Sequence, residues 1–146
     1  MKNNDIYLQK MREGKNIIDN RDKNIKNNVA IFDIDDTILD TRTNLLIYPI
    51  FSLYTHALHN HVYTVFITAR EATPENIKIT IKQLHKLGIK GFDLLYFRPS
   101  HLKDVKEYKI FARKNVTECG YTPLFSVGDM EWDAGEYGGI PLYLFQ

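Results

Sequence analysis

The apolar run Val29-Ala30-Ile31-Phe32 is followed at once by Asp33, Asp35 and Asp36. Four apolar residues in a row, two of them β-branched, predict a short strand buried on both faces. Carboxylates are rarely buried unless paired or bound to metal, so these three belong at the strand's C-terminal rim. That rim is where open α/β sheets hold their ligands.

The remaining pattern alternates. Ahead of this strand, Ile6, Tyr7, Met11, Ile17 and Ile18 recur at near-helical spacing and predict a helix from about Asp5 to Asp19, weakened by Gly14, then a loop from Asn20 to Asn28. Beyond it, Asp40 to Asn44 reads as a polar turn. Tyr48 to His59 reads as a helix with Ile50, Phe51, Tyr54, Ala57 and Leu58 on one face. Val62 to Ile67 predicts a second strand ending in Thr68-Ala69-Arg70. Thr73-Pro74-Glu75 then supplies an N-cap, a proline at the first helical position and an acid in the first turn. That helix should turn Ile77, Ile81 and Leu84 inward and stop at Gly88. Phe92 to Phe97, Leu124 to Val127 and Leu142 to Phe145 predict further strands, with a helix from Leu102 to Cys119 closed by Gly120. Such alternation argues for an α/β fold: a three-layer, doubly wound parallel sheet of about five strands with right-handed connections. Residues 1–28 would form a helix and loop packed on a core domain of residues 29–146.

Composition narrows the partners. The 146 residues hold one domain, with 44% hydrophobic and 25% charged residues and a formal charge of +1, so no global charge drives the chain to nucleic acid or membrane. One cysteine, Cys119, excludes an internal disulfide framework. No apolar run has the length of a signal peptide or membrane span, so a cytoplasmic location is the expectation. Charge is biased locally: from Arg98 to Lys114 stand six basic residues (Arg98, Lys103, Lys106, Lys109, Arg113, Lys114) against Asp104 and Glu107.

Three predicted strand ends carry polar groups that complement one another. In Asp33-Ile34-Asp35-Asp36-Thr37, carboxylates two residues apart project to one side of an extended segment, so one can attack phosphorus while the other handles protons. Their charge would repel phosphate unless a hard cation such as Mg²⁺ intervened. A solvated Asp-rich turn or a calcium loop would share the pattern. The Thr68 hydroxyl and the backbone N–H groups that follow it, from Ala69 on, form a candidate anion nest. Gly128-Asp129-Met130-Glu131-Trp132-Asp133 brings carboxylates to a glycine turn, with Asp129 a candidate metal ligand and Asp133 either a supporting group or a helix cap. Lys106, Lys109 and Arg113, spaced by three and four, share one helix face and offer the missing cation. His56, His59 and His61 read as solvated surface, and Trp132 as packing or a rim contact.

This set resembles the haloacid dehalogenase (HAD) superfamily of aspartyl-nucleophile phosphohydrolases, over essentially residues 29–146. Asp33 to Thr37 looks like its first motif, Thr68 its second, a basic residue its third, and Gly128-Asp129 with Asp133 its fourth. Tyr108-Lys109-Ile110-Phe111-Ala112-Arg113, then Gly120-Tyr121 and Gly128-Asp129, is similar to the class B and plant acid phosphatase-like branch, as are Ile67-Thr68-Ala69-Arg70 and Arg98. That run favours Lys109 over Lys106 as the third-motif lysine. The resemblance implies a HAD-like Rossmannoid fold in which Asp33 attacks phosphorus and Asp35 serves as acid and then base. Thr68 and Lys109 would hold the phosphoryl group, with Ala69 and Arg70 beside them. Mg²⁺ would lie between Asp33, the Asp35 carbonyl and Asp129, with Asp133 in support.

Superfamily specificity usually comes from cap insertions. Thirty residues between Thr37 and Thr68 and forty between Thr68 and Lys109 are mostly consumed by predicted elements, which implies a minimal cap and an accessible site. The first expectation is a Mg²⁺-dependent phosphomonoesterase acting on a small phosphorylated metabolite or nucleotide. A polynucleotide end phosphatase, motivated by the basic stretch, and a non-catalytic phosphate-binding or regulatory protein are the alternatives. A homo-oligomer in which a neighbouring subunit completes the site is a further expectation.

Overall fold

Strand β1, Asn28–Phe32, is buried along its whole length at the centre of a five-stranded sheet. The computed structural model describes residues 4–145, so the first three residues of the N-terminal segment and Gln146 lie outside it. After β1 come a hairpin of β2 (Leu39–Asp40) and β3 (Leu45–Leu46), then β4 (Tyr63–Glu71), β5 (Leu94–Arg98), β6 (Thr122–Gly128) and β7 (Ile140–Tyr143). The helices are α1 (Asn4–Asp19), α2 (Tyr48–His59), α3 (Pro74–Lys86) and α4 (Val105–Glu118), with a 3-10 turn at Glu131–Asp133. Spatial order in the main sheet is β5-β4-β1-β6-β7, and every pair is parallel. Successive strands move outward from β1 on one side and then on the other, so a crevice opens at the C-terminal end of β1, beside β6.

Side-chain alternation along β1 divides the core. Ala30 and Phe32 face one layer with residues of α1, α2 and α3; Val29 and Ile31 face Tyr108, Ala112 and Val116 of α4. Phe32 is the hub of the first layer, with ring centroids 5.9 Å from Tyr54, 5.6 Å from Phe66 and 5.9 Å from Phe125. The doubly wound parallel sheet expected from the pattern is the architecture found. Among the described residues no helix is long and apolar enough to cross a membrane.

Several local expectations are corrected. The turn Asp40 to Asn44 is the tip of the β2–β3 hairpin, whose two-residue strands are too short to show alternation. Strand β4 does not stop at Ile67: it pairs Ile67 with Tyr96 and then Glu71 with Arg98, so three residues, Thr68 to Arg70, oppose one on β5. This bulge bends the strand end and frees its backbone groups beside the crevice. Helix α3 is rotated from its expected face, with Leu84 and Thr80 buried and Ile81 exposed. Its Thr73 cap is as expected, the side chain accepting from the Asn76 N–H. Helix α4 begins at Val105, three residues after Leu102, because the Asp104 side chain accepts from the Glu107 N–H and caps it there.

Gly14 has a use that helix propensity does not reveal. Helix α1 lies against α2, and a Cβ at Gly14 would sit 2.7 Å from both methyls of the fully buried Leu53. Ile6, Tyr7 and Ile18 of α1 thereby join the first core layer, and Asp19 lies 2.8 Å from His56 Nε2. Gly14→Val is expected to destabilise the fold by about 1–3 kcal/mol through overpacking of this crossing. Urea unfolding with an unchanged midpoint would count against that account.

Candidate functional site

The loop after β1 is tied back on itself. The Asp33 N–H donates to Val127 O at 3.0 Å, extending the β1–β6 ladder by one residue. The N–H groups of Thr37, Ile38 and Leu39 then all donate to Ile34 O, at 3.2, 3.0 and 3.1 Å. Ile34 and Ile38 are fully buried and anchor this turn, while Asp36 takes a left-handed conformation with φ of 58°. Asp is among the few residues that visit that region without a large penalty.

Asp33, only 8% exposed, meets a lysine and a threonine. Its Oδ1 accepts from Lys109 Nζ at 3.0 Å and its Oδ2 from Thr37 Oγ1 at 3.1 Å. Lys109 Nζ also lies 2.7 Å from Asp133 Oδ1 and donates to Ile67 O at 2.7 Å, so three acceptors match the three donors of the ammonium. Lys109 is 2% exposed. Burial works to lower its pKa, but Asp33 and Asp133 outweigh that and hold it above the ordinary lysine value. Lys106, the alternative third-motif lysine, is exposed.

The other oxygen of Asp133 accepts from the Met130 N–H at 2.9 Å, so this residue both caps the 3-10 turn and pairs with Lys109. Gly128 permits that approach, since a Cβ there would lie 2.2 Å from Asp133 Cβ. Oxygens of Asp33, Asp129 and Asp133 lie within 4.8 Å of one another, a cluster that could hold a metal; among the described residues no histidine joins it. Burial, then the charge of Asp33, pushes the Asp129 carboxyl up to about 8 and Asp133 up to about 6.

Asp35 points to a different partner. Arg70 grips it with two bonds, Nη2 to Oδ1 at 2.7 Å and Nε to Oδ2 at 3.0 Å. Arg70 Nη1 donates in turn to Thr80 Oγ1 and Gln83 Oε1 of α3, both at 2.7 Å, which explains the rotation of that helix. A hollow of about 180 Å³ is lined by Asp33, Asp35, Ala69, Lys109, Asp129 and Asp133, with Val105, Met130 and Trp132 among its other walls. Thr68 is fully buried, its hydroxyl accepting from the Arg70 N–H at 3.2 Å, and is not among the lining residues.

Half of the basic stretch is turned inward. Arg98 donates to Ala69 O and Leu102 O, and Arg113 to Trp132 O and Glu136 O, both of the latter at 2.8 Å. With Lys109 buried as well, the exposed cations of the stretch are Lys103, Lys106 and Lys114, opposite Asp104 and Glu107. Sequence reasoning did not give Thr37 a role in the site or foresee Thr80 and Gln83. The Asp-x-Asp-x-Thr spacing carried the signal for Thr37, whereas the α3 pair had none beyond helical phase.

A family model described as HAD superfamily, subfamily IIIB (acid phosphatase), matches residues 41–136, the greater part of the chain and all of the elements from α2 to the Glu131–Asp133 turn. The chain belongs to this family. The match begins just after the first motif, so in this subfamily IIIB chain Asp33, Asp35 and Thr37 are tied to the matched residues by geometry alone. A chain in a solved structure of the Pnkp1/Rnl/Hen1 RNA repair complex is similar, with a TM-score of 0.59 and 20% identity over 77% of this chain. At that identity the likeness is one of fold, and the HAD chain spans 39% of the length of that neighbour. A search of curated proteins returned no match.

The raised carboxyl pKa values have a signed consequence for stability. The native site binds more protons than the unfolded chain wherever pH lies between the ordinary aspartate value of 3.8 and about 8. Metal-free protein is therefore expected to lose stability as pH rises from 4 to 8, and a divalent cation to restore it at the upper end. Thermal melts across that range, in chelator and in excess Mg²⁺, check this. Parallel profiles in the two conditions would contradict it.

Proposed function

We propose that this chain is a Mg²⁺-dependent phosphomonoester hydrolase working through an aspartyl-phosphate on Asp33, with a small phosphorylated metabolite or nucleotide as substrate. The observation that carries the reading is the buried Lys109 ammonium, which joins Asp33 to Asp133 beside Asp129 in one hollow. The donor set fits the metal. All three acids offer oxygen, as a hard cation requires, and with Lys109 their combined charge is −2, which one divalent ion balances.

Asp33, Asp129 and the Asp35 carbonyl would hold Mg²⁺, with Asp133 in support, and a bound ion would supply charge neutralisation at the phosphoryl oxygens. The residues do the rest. An Asp33 carboxylate oxygen forms a bond to phosphorus as the ester P–O bond breaks, and Asp35 gives its proton to the departing oxygen. Asp35 then takes a proton from water whose oxygen attacks the same phosphorus, releasing inorganic phosphate and restoring the Asp33 carboxylate. Lys109 directs Asp33 and offsets negative charge, and Arg70 fixes the direction of Asp35. Backbone N–H groups at the β4 bulge, beginning with Ala69, supply donors for the phosphoryl oxygens, and Thr68 supports that bulge. Substitution of Asp33 by Asn keeps shape and removes the attacking charge. It is expected to lower kcat on a generic aryl phosphate by at least about 10³-fold, on the scale of losing a unit of covalent catalytic machinery. Undiminished turnover with the fold retained would refute Asp33 as the nucleophile.

A polynucleotide end as substrate keeps one support, the fold neighbour from an RNA repair complex. Its charge argument weakens, because half of the basic stretch is spent inside the protein. Phosphorylated oligonucleotides would have to be turned over with steep salt dependence, unlike mononucleotides. The reading adopted here expects similar kinetics on both and a shallow salt response.

A further inference from the structure

Tyr7 lies on α1, well before the residues matched by the family model, yet it is 3% exposed and its hydroxyl donates to the backbone carbonyl of Asp36 at 2.5 Å. That carbonyl belongs to the peptide unit joining Asp36 to Thr37, whose atoms are held in a plane. The other polar group of the same plane, the Thr37 N–H, donates to Ile34 O at 3.2 Å. Tyr7 and Ile34 thus grip one rigid plate at opposite edges. Thr37, which leaves that plate, is fully buried, and its hydroxyl lies 3.1 Å from Asp33 Oδ2 and 3.5 Å from Asp129 Oδ1.

We propose that Tyr7 is a positioning residue of the active site: by holding the Asp36–Thr37 peptide plane it aims the Thr37 hydroxyl between Asp33 and Asp129 and aligns those two carboxylates. This rests on the phosphohydrolase reading above. Its anchor is firm, because Ile6, Tyr7 and Ile18 sit in the core layer shared with α2, and Gly14 lets the two helices close on each other. Asp36, at the head of the plate, is left-handed. Its N–H donates to Leu39 O and its Oδ1 accepts from Thr41, contacts that tie it to the hairpin, whereas Tyr7 brings a contact from α1. The hydroxyl remains a protonated donor at any working pH, because burial and the surrounding acids Asp129, Asp36, Asp40 and Asp33 all raise its pKa above the ordinary tyrosine value.

The test compares Tyr7→Phe, which keeps the ring and removes one oxygen, with Ile18→Val, which trims the same helix elsewhere in the core. Two readouts are needed: kcat and KM on an aryl phosphate, and the Mg²⁺ concentration at half-maximal thermal upshift, measured without substrate. Tyr7→Phe is expected to lower kcat about tenfold, with KM little changed, and to raise the Mg²⁺ midpoint several-fold. Ile18→Val is expected to lower the melting temperature while leaving kcat and the Mg²⁺ midpoint as in wild type. The assignment is overturned if Tyr7→Phe matches wild type in both readouts, or if Ile18→Val shifts them as far. Wild-type protein with neither turnover nor a Mg²⁺-induced shift would instead remove the parent reading, and this one with it.

Discussion

A single ammonium group sets the terms for the rest of the structure. Lys109 Nζ is enclosed by Asp33, Asp133 and Ile67 O, each at 2.7–3.0 Å. Taking a charge out of water costs several kcal/mol even after relaxation, and only close opposite charges and complete hydrogen bonding recover it. The acids need the lysine for the same reason. Without it, three carboxylates would share a small, poorly solvated volume with nothing to oppose their repulsion. One cation is still too few for three anions. Burial, then the charge of Asp33, pushes the Asp129 and Asp133 carboxyls upward, and the excess of acids over cations makes a cluster that could hold a metal.

Helix α4 enforces this arrangement from both ends of one face. Lys109 and Arg113 are one helical turn apart, and both are buried. The lysine holds the carboxylate of Asp133, while the guanidinium holds the carbonyls of Trp132 and Glu136 in the loop on either side of it. A planar guanidinium can reach two carbonyls at once, which an ammonium in that place would do less well. The loop can lie so close only because Gly128 has no side chain where Asp133 packs. Arg98 performs a similar service for the β4 bulge through Ala69 O. Half of the basic residues that look in sequence like a surface for polyanions, Arg98, Lys109 and Arg113, are internal ties.

The legible part of this molecule is the part governed by short-range pattern. The buried strand before Asp33, the Thr73-Pro74 helix start and the alternation of strands with helices each follow from local rules, and together they give the sheet and the rim on which the acids lie. The spacing of Lys109 from Arg113 was legible as a shared face, and the family resemblance placed Lys109 in the site, but the inward turn of Arg113 was not legible, because a basic stripe faces solvent unless buried acceptors call it inward. Thr80 gives the converse case. A polar residue displaced Ile81 from the inner face of α3 because Arg70 needed acceptors there, and no window of residues around 80 contains that information. Gly14 was legible only as a weakness, since the Leu53 methyls that require it lie on another helix.

The size of the hollow bears on what the site can select. At about 180 Å³ it falls below the roughly 300–1,000 Å³ typical of pockets that enclose a whole small-molecule ligand. The insertion that follows the first motif amounts to a hairpin of two-residue strands, too slight to roof it. A hollow of this size suits the phosphoryl head of a phosphatase substrate rather than the whole of one. Beside the carboxylates and the ammonium its walls include Val105, Met130 and Trp132, with Met130 well exposed. The Lys109 network is built into the core through β1, α4 and the Gly128 turn.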